Sequence, residues 1–181
     1  MNERRQGAGQ GRRIEGFIAK RSWLKARSVI EAARERDPKS HWLLARLALT
    51  YYELRDYTKA LELEIEGLQI APMCPLLCWG YAGSSSMLGK NKEAIAVYKW
   101  LIERGVDELA YGDCGEGRGW ARALVADSHY RISLCHEAMG ERRKARVAMT
   151  KHLAARGPGV RSIYPIKGAR SIAKRLGITA A

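Results

Sequence analysis

Three groups of residues have types that could do chemistry: a glycine-rich stretch, two histidines and four cysteines. Gly115–Gly119 (GEGRG) is rich enough in glycine to cradle a phosphate, but no strand pattern precedes it and no Lys-Ser/Thr follows. His129 and His136 would share one face of a helix, where seven residues separate them by about 10.5 Å, too far for one metal ion. We interpret the glycines as a flexible loop and the histidines as packing or groove positions.

The cysteines offer neither a nucleophile nor a disulfide framework. Cys114 lies beside Asp113 and Glu116, whose negative charges raise the pKa of a thiol. Cys78 and Cys135 fall among helical apolar residues and are typical of small core positions. Four cysteines without a CxxC pair favour a reducing, cytoplasmic setting. Since no Ser-His-Asp order or paired-carboxylate motif stands out, we expect a protein that is not an enzyme and has no metal or cofactor.

The composition indicates a globular protein without a β-sheet core. Of 181 residues, 46% are apolar and 28% are charged, which is typical of a folded domain. Alternating runs of valine and isoleucine are missing, which argues against an all-β fold. Within the longest uncharged run, residues 71–89 contain two prolines and several glycines and serines, so this run predicts no membrane span. The N-terminus lacks the apolar centre of a secretory signal.

The positive charge is concentrated at the two ends of the chain. Lysine and arginine number 32 against 19 acidic residues, for a net charge of +13. Residues 1–25 contain seven basic and two acidic side chains, and residues 141–181 contain eleven and one. Two interpretations stay open. The charges could keep the outer faces of terminal helices soluble, or they could attract an acidic protein, nucleic acid or an anionic membrane surface.

The strongest pattern is an internal repeat of 34 residues. That spacing joins Ala26 to Ala60 and Ala60 to Ala94, and it also joins Pro38 to Pro72. Each alanine follows a polar turn, and apolar residues recur at helical spacing on both sides. We expect the alanine where a second helix crosses the first at close range, and the proline where the second helix ends. The pattern therefore predicts helix–turn–helix units.

A 34-residue period built in this way resembles the tetratricopeptide repeat (TPR). The resemblance implies an all-α fold, a right-handed α-solenoid of stacked helix–turn–helix repeats. The predicted units are 7–40, 41–74, 75–108 and 126–159. The fourth is shifted because Ala145 follows Ala94 by 51 residues, and the additional residues form a Gly-rich insertion and helix extension at 109–125.

Both ends of the predicted TPR-like domain, residues 7–159, carry extra segments. Residues 1–12 are predicted to be a basic, flexible tail. Residues 160–181 contain a short amphipathic stripe at Ala169, Ile172, Ala173 and Leu176. This stripe predicts a C-terminal capping helix that covers the last repeat. The alternative is a free tail that binds a membrane or a partner.

The resemblance also implies where function would lie, on the concave groove lined by the first helix of each repeat. The family's groove positions, carried over residue by residue, fall on Trp42, Arg46, Leu49, Tyr52, Trp79, Tyr130, Arg131 and Leu134. Exposed aromatic side chains beside arginines have the composition of a binding hot spot. The alternative is that Trp42 and Trp79 pack between adjacent repeats.

Two hypotheses about function follow. The first is a non-catalytic protein–protein interaction scaffold that binds a peptide segment, acidic or aromatic/apolar, in the groove. The alternative is a nucleic-acid-associated helical repeat protein that binds through its basic N- and C-terminal regions. The inferred groove is mixed in charge, and the basic run Arg142–Lys144 belongs to a second helix, which in this family faces the convex side. We therefore favour the first hypothesis.

Overall fold

The computed structural model describes residues 3–178, with side chains from residue 9 onward. Within that range every regular element is an α-helix. The helices are α1 (Glu3–Ala19), α2 (Trp23–Arg34), α3 (His41–Glu53), α4 (Tyr57–Ile70), α5 (Pro75–Met87), α6 (Asn91–Tyr111), α7 (Arg118–Ala138), α8 (Arg142–Ala155) and α9 (Ile166–Arg175).

The helices form two compact units, which we call the N-terminal unit (Met1–Pro72) and the C-terminal unit (Met73–Ala181). In the N-terminal unit, α1 packs on α2, α2 on α3 and α3 on α4. In the C-terminal unit, the same order of neighbours runs from α5 to α9. Within each unit, every helix thus packs on the next one in the chain, as stacked helix–turn–helix repeats require. The predicted all-α repeat fold is confirmed.

The repeating alanines lie where the sequence pattern predicts a close helix crossing. Ala26, Ala60, Ala94 and Ala145 are all fully buried. In the C-terminal unit, the Ser133 hydroxyl of α7 donates a hydrogen bond of 2.8 Å to the carbonyl oxygen of Ala145 on α8. A side chain on one helix reaches the backbone of the other only when the two helices are close. A methyl group is therefore the largest side chain that fits without separating them.

The turn inside each helix pair has the same left-handed residue. Arg21, Arg55, Gly89 and Gly140 have φ of 52°, 66°, 81° and 75°. The residue after each of them donates its N–H to the carbonyl oxygen five positions earlier, at 2.9–3.0 Å. These bonds satisfy carbonyls at the end of the first helix, as in a Schellman motif, and direct the chain into the second helix.

The insertion in the last repeat extends two helices rather than one. α6 is broken by a kink at Gly105, where φ is 77° and ψ is 166°, and a second helical segment runs on to Tyr111. α7 begins at Arg118 and has 21 residues, so its first turns lie in the segment 109–125, where the sequence predicts a helix extension. At the other end of the chain, α1 starts at Glu3, so the structure continues a helix through residues 3–12, which the composition predicts to be a flexible tail. Residues 1 and 2 of that segment lie outside the described residues.

Each unit has its own apolar core. In the N-terminal unit the core is built on Ile14, Ile30, Leu44 and Leu47, with Phe17 and Trp42 packed at its edge. The C-terminal unit has a cluster in which α9 covers α7 and α8. Its buried members are Tyr130, Ala145, Met149, Ala169, Ala173 and Leu176. The predicted C-terminal capping helix is thus present, and its apolar stripe is the side that packs.

We predict that Arg55→Gly increases the free energy of unfolding by about 0.5–1 kcal/mol, because glycine adopts positive φ without the Cβ clash that arginine has. Gly89→Ala should decrease it by about 1 kcal/mol. The second change tests the backbone alone, since a Cβ at Gly89 meets no atom within 4 Å. Urea unfolding of the two variants and the parent protein measures both effects. A destabilised Arg55→Gly protein would contradict the assignment of strain to this turn.

Candidate functional site

One face of α3 is left partly open to solvent along its length. Residues 43, 44, 47, 48 and 50 are buried, whereas positions 42, 45, 46, 49 and 52 are half-buried and 53 is exposed. These positions follow the helical period and form one stripe. The predicted groove residues Trp42, Arg46, Leu49 and Tyr52 therefore lie together on this surface, which we call the α3 face.

The side chains of the α3 face are held by neighbours within the N-terminal unit. Glu15 on α1 pairs with Arg46 at 2.6 Å, and the Arg46 guanidinium lies 5.4 Å from the centre of the Trp42 ring. Only 14% of the Arg46 side chain is exposed, against 45% for Glu15. Tyr52 packs edge-on against Tyr57 with ring centres 5.3 Å apart. The face thus presents fixed aromatic and aliphatic surface beside an arginine that already has a carboxylate partner.

In the C-terminal unit, Trp79 lies on α5 and is half-buried. Its ring packs edge-on against the buried ring of Tyr98 on α6, with centres 5.2 Å apart. Trp79 therefore packs on the second helix of its own pair and keeps part of its surface open. The groove prediction expects an exposed aromatic side chain at Trp79, and the side chain is half-buried because the ring of Tyr98 packs against it.

Arg131 on α7 hydrogen-bonds within its own unit. Its Nε donates to the Tyr98 hydroxyl at 3.0 Å, and its Nη2 donates to Ser86 Oγ at 3.0 Å and to the Gly83 carbonyl at 3.3 Å. The guanidinium thus links α7 to α5 and α6. These donors serve the packing of three helices, so they are not available to an acidic side chain of a ligand unless that packing changes.

Tyr130 and Leu134 are covered by the chain's own C-terminal segment. The Tyr130 ring stacks on Tyr164 with centres 4.0 Å apart and planes 14° from parallel, and its side chain is buried. Leu134 packs on the same cluster as α9. Tyr130 was expected to be an exposed groove aromatic, and that expectation is wrong. The physical reason is that the last repeat must cover its apolar side, and residues 164–178 do so.

The segment before α9 is fixed to α7 by polar contacts as well. Asp127 Oδ2 accepts a hydrogen bond of 3.0 Å from the Ile163 N–H. Burial raises the pKa of Asp127, and the hydrogen bonds from Ser162 and Ile163 oppose that shift. Arg175 forms a two-pronged ion pair with Glu137, at 2.9 and 2.7 Å. The chain's own C-terminal segment therefore covers this part of α7 and leaves it unavailable to a ligand.

The glycine-rich stretch and Cys114 have structural roles. A Cβ added at Gly115 would lie 2.5 Å from the Ala110 carbonyl oxygen, so the glycine loop is folded tightly against the end of α6. It is not the flexible loop expected from its composition. The pKa of Cys114 is raised to about 12, first by burial, then by a hydrogen bond with Cys74 and the nearby charge of Asp113. The expected direction was right, although burial is the larger cause.

A basic cleft in the C-terminal unit was not predicted from the sequence. It opens between α6, α7 and α8. The sequence did contain a signal, because His129, Ile132 and His136 recur at helical spacing on α7 while Val147 and Lys151 do so on α8. The charge count of α8 includes its cations but not Val147 and Ala148, the apolar residues between them that also line the cleft.

Comparison with known proteins identifies the fold. No protein-family model and no curated protein matches the sequence. The MamA RS-1 ArsTM double mutant matches with a TM-score of 0.66 and 13% identity, over 93% of this chain and 82% of that one. A MamA crystal structure matches with 0.60 and 20%, over 90% and 89%. A tetratricopeptide repeat protein from Parabacteroides merdae matches with 0.51 and 15%, over 93% and 70%.

The chain thus has the fold of the tetratricopeptide repeat proteins, as the 34-residue period predicts. At these identities the likeness concerns the fold. Among the helices of residues 3–178, none combines the length and the apolar character that crossing a bilayer requires.

We predict that Tyr164→Ala decreases the free energy of unfolding by about 2 kcal/mol, through loss of the stack on Tyr130 and of buried aromatic area. Tyr164→Phe should retain most of the stability because it keeps the ring. Urea unfolding gives the change, and hydrogen exchange of α9 locates it. If the α9 amides exchange equally in both variants, the stack does not hold the cap in place.

We also predict a pH dependence from His152, which is fully buried and whose Nδ1 lies 2.8 Å from the Ala126 carbonyl oxygen. Burial lowers its pKa below the ordinary 6.5. Because the folded protein favours the neutral imidazole, the contribution of His152 to the free energy of unfolding is complete above pH 6.5. This contribution is lost as the pH falls below 6.5. The melting temperature should therefore fall from about pH 7.5 to about pH 5, and less steeply in His152→Gln. Equal slopes in both proteins would contradict this origin.

Proposed function

We propose that this protein is a non-catalytic protein–protein interaction scaffold that holds a peptide segment of a partner against the first-helix faces of its repeats. The observation that carries the proposal is the α3 face, a continuous half-buried stripe with Trp42, Leu49 and Tyr52 along one side of the helix. Large apolar side chains that are neither fully buried nor scattered singly are typical of binding surfaces.

The packing of the α3 face supports a peptide as its ligand. Trp42 and Tyr52 are held by Arg46 and Tyr57, so little side-chain freedom is lost when a ligand covers them. Position 11 of α1 is glycine, and a Cβ there would meet only the Trp42 ring, at 3.9 Å. A ligand backbone can therefore approach α1 closely beside the indole.

The C-terminal unit has a surface of the same kind on α5, at half-buried Leu76 and Trp79 and exposed Met87. Both groove arginines already have partners within their own units. Arg46 offers its charge to a ligand carboxylate only in exchange with Glu15, and Arg131 positions helices. We therefore propose that apolar and aromatic contacts supply most of the affinity, with polar groups at the edge setting orientation.

Nucleic-acid binding through the basic ends stays the second candidate. It is favoured by the exposed cations of α8, Arg142, Arg143, Lys144 and Arg146. Two of these already serve the fold, since Arg142 donates to the Arg175 carbonyl oxygen and Lys144 pairs with Glu141. Salt dependence separates the candidates, because binding to phosphates weakens steeply as salt rises and apolar contacts do not.

The test is affinity capture of partners by the purified full chain, followed by variants of the α3 face. Ala45→Glu with Leu49→Glu places two charges on the stripe and should abolish capture. Leu24→Glu with Ser28→Glu introduces the same charges at the same spacing on α2, where both residues are exposed, and should leave capture intact. Circular dichroism and urea unfolding establish that both variants fold.

Capture is repeated at low and high salt and after nuclease treatment. A partner that survives both treatments and is lost only from the α3-face variant is the expected result. Loss of all capture to nuclease or moderate salt would replace the scaffold with the nucleic-acid candidate. Capture by the α3-face variant equal to that of its control would refute this assignment of the surface.

A further inference from the structure

A cleft of ≈640 Å³ opens on the C-terminal unit between α6, α7 and α8. Its lining residues on α7 are His129, Ile132 and His136. The 3.6-residue period of a helix places these on the opposite side of α7 from Tyr130 and Leu134, which the cap covers. The cleft is therefore distinct from the first-helix face and is not filled by the C-terminal segment.

The floor of the cleft is apolar. Ile102, Ile132, Val147 and Ala148 come together from the three helices. Val147 is 53% exposed although it is aliphatic. Burial and the charge of Lys151 lower the pKa of His129, so this imidazole is neutral at pH 7. The volume is within the range of sites that bind ligands of several side chains in size.

The rim of the cleft is cationic and mostly uncompensated. The basic residues that line it are Lys99, Arg143, Lys144 and Lys151. Lys144 shares Glu141 with His136. Over residues 9–178, the other three make no ion pair, and Glu103 is the one acidic residue of the lining. Lys99, Arg143 and Lys151 thus line the cleft beside its apolar floor, and none of the three has an ion-pair partner within the described residues.

We propose that this cleft is a second binding site, which takes an acidic peptide segment of a partner protein. Carboxylates of the segment pair with Lys99, Arg143 and Lys151, and a large apolar side chain between them covers Val147 and Ile132. The combination of cations with aliphatic surface selects a ligand in which acidic and apolar side chains alternate. This site goes beyond the α3 face and does not depend on it.

Two other occupants fit the cleft less well. A second copy of this chain has a net charge of +13, so its approach to a cationic rim is repulsive overall. A nucleic acid would pair its phosphates with the lysines and arginine, but each of its sugars lies beside a charged phosphate and offers less aliphatic surface to Val147 and Ile132 than a leucine side chain does. An acidic peptide satisfies the rim and the floor together.

The experiment measures fluorescence anisotropy of labelled probes with the purified full chain at physiological salt. The probes are a short peptide of alternating Glu and Leu, the same peptide with Ser in place of Leu, and an oligothymidylate of equal charge. The Glu/Leu peptide should bind at least about tenfold more tightly than the Glu/Ser peptide, because only leucine covers the floor. Oligothymidylate binding as tight as that of the Glu/Leu peptide would overturn the proposal in favour of nucleic acid.

Matched variants locate the site. Lys99→Glu with Lys151→Glu reverses two rim charges and should weaken binding of the Glu/Leu peptide at least about tenfold. Lys92→Glu with Lys167→Glu makes the same change at exposed lysines outside the cleft and should weaken it less than about threefold. Equal losses in both pairs would mean that net charge alone attracts the peptide, and the proposal would fail.

A floor variant completes the test. Val147→Ser should bring the affinity for the Glu/Leu peptide close to that for the Glu/Ser peptide, and unchanged discrimination would overturn the proposal. The α3-face variant Ala45→Glu with Leu49→Glu should bind the probe with less than about a threefold loss, since it leaves the rim and floor intact. Failure of the scaffold proposal and failure of this one therefore give different patterns.

Discussion

Every helix pair in this protein depends on a close crossing at one alanine. Ala26, Ala60, Ala94 and Ala145 have no exposed surface, and the spacing between the paired helices follows from the size of that side chain. A larger residue would move the second helix outward and open the core on both sides of it. Because each helix packs on its neighbours within its unit, the displacement would reach the next helix of that unit.

The crossing also decides which surfaces are left for binding. Once α7 has turned one side toward α8 and Ala145, its remaining sides face different environments. One side, with Tyr130 and Asp127, is taken by the C-terminal segment, and another, with His129 and Ile132, forms the wall of the basic cleft. Among the described residues of the N-terminal unit, no such segment covers the corresponding side of α3. The repeats thus share the same helix–turn–helix backbone, and they differ in which segment covers the side of the first helix.

How much of this can be predicted from the sequence depends on the kind of interaction. The alanine period and the cap stripe at Ala169 and Ala173 predict the fold, because packing demands on size repeat at a fixed interval. The burial of Tyr130 was not predictable in the same way. Tyr164 lies beyond the last predicted unit, which ends at residue 159, so only the folded chain brings the two rings together.

The polar contacts were the least predictable part of the candidate site. Arg131 looked like a ligand-binding cation in the sequence, but its partners are a hydroxyl on α6 and two oxygens on α5, none marked by any motif. The basic cleft was missed for a related reason, since its rim and floor come from three helices. The turn at Arg55 is also hard to predict. Its residue has positive φ, as Gly89 and Gly140 do at the equivalent turns, but sequence rules associate positive φ with glycine and not with arginine.

The position of α9 has a consequence for how such a protein can evolve. Its apolar stripe covers Tyr130, Ala145 and Met149, the side on which the first helix of a further repeat would have to stack. A repeat added after α8 would therefore take the surface that α9 now covers. The helix α9 could cap the longer array only if the added repeat carried an equivalent apolar side.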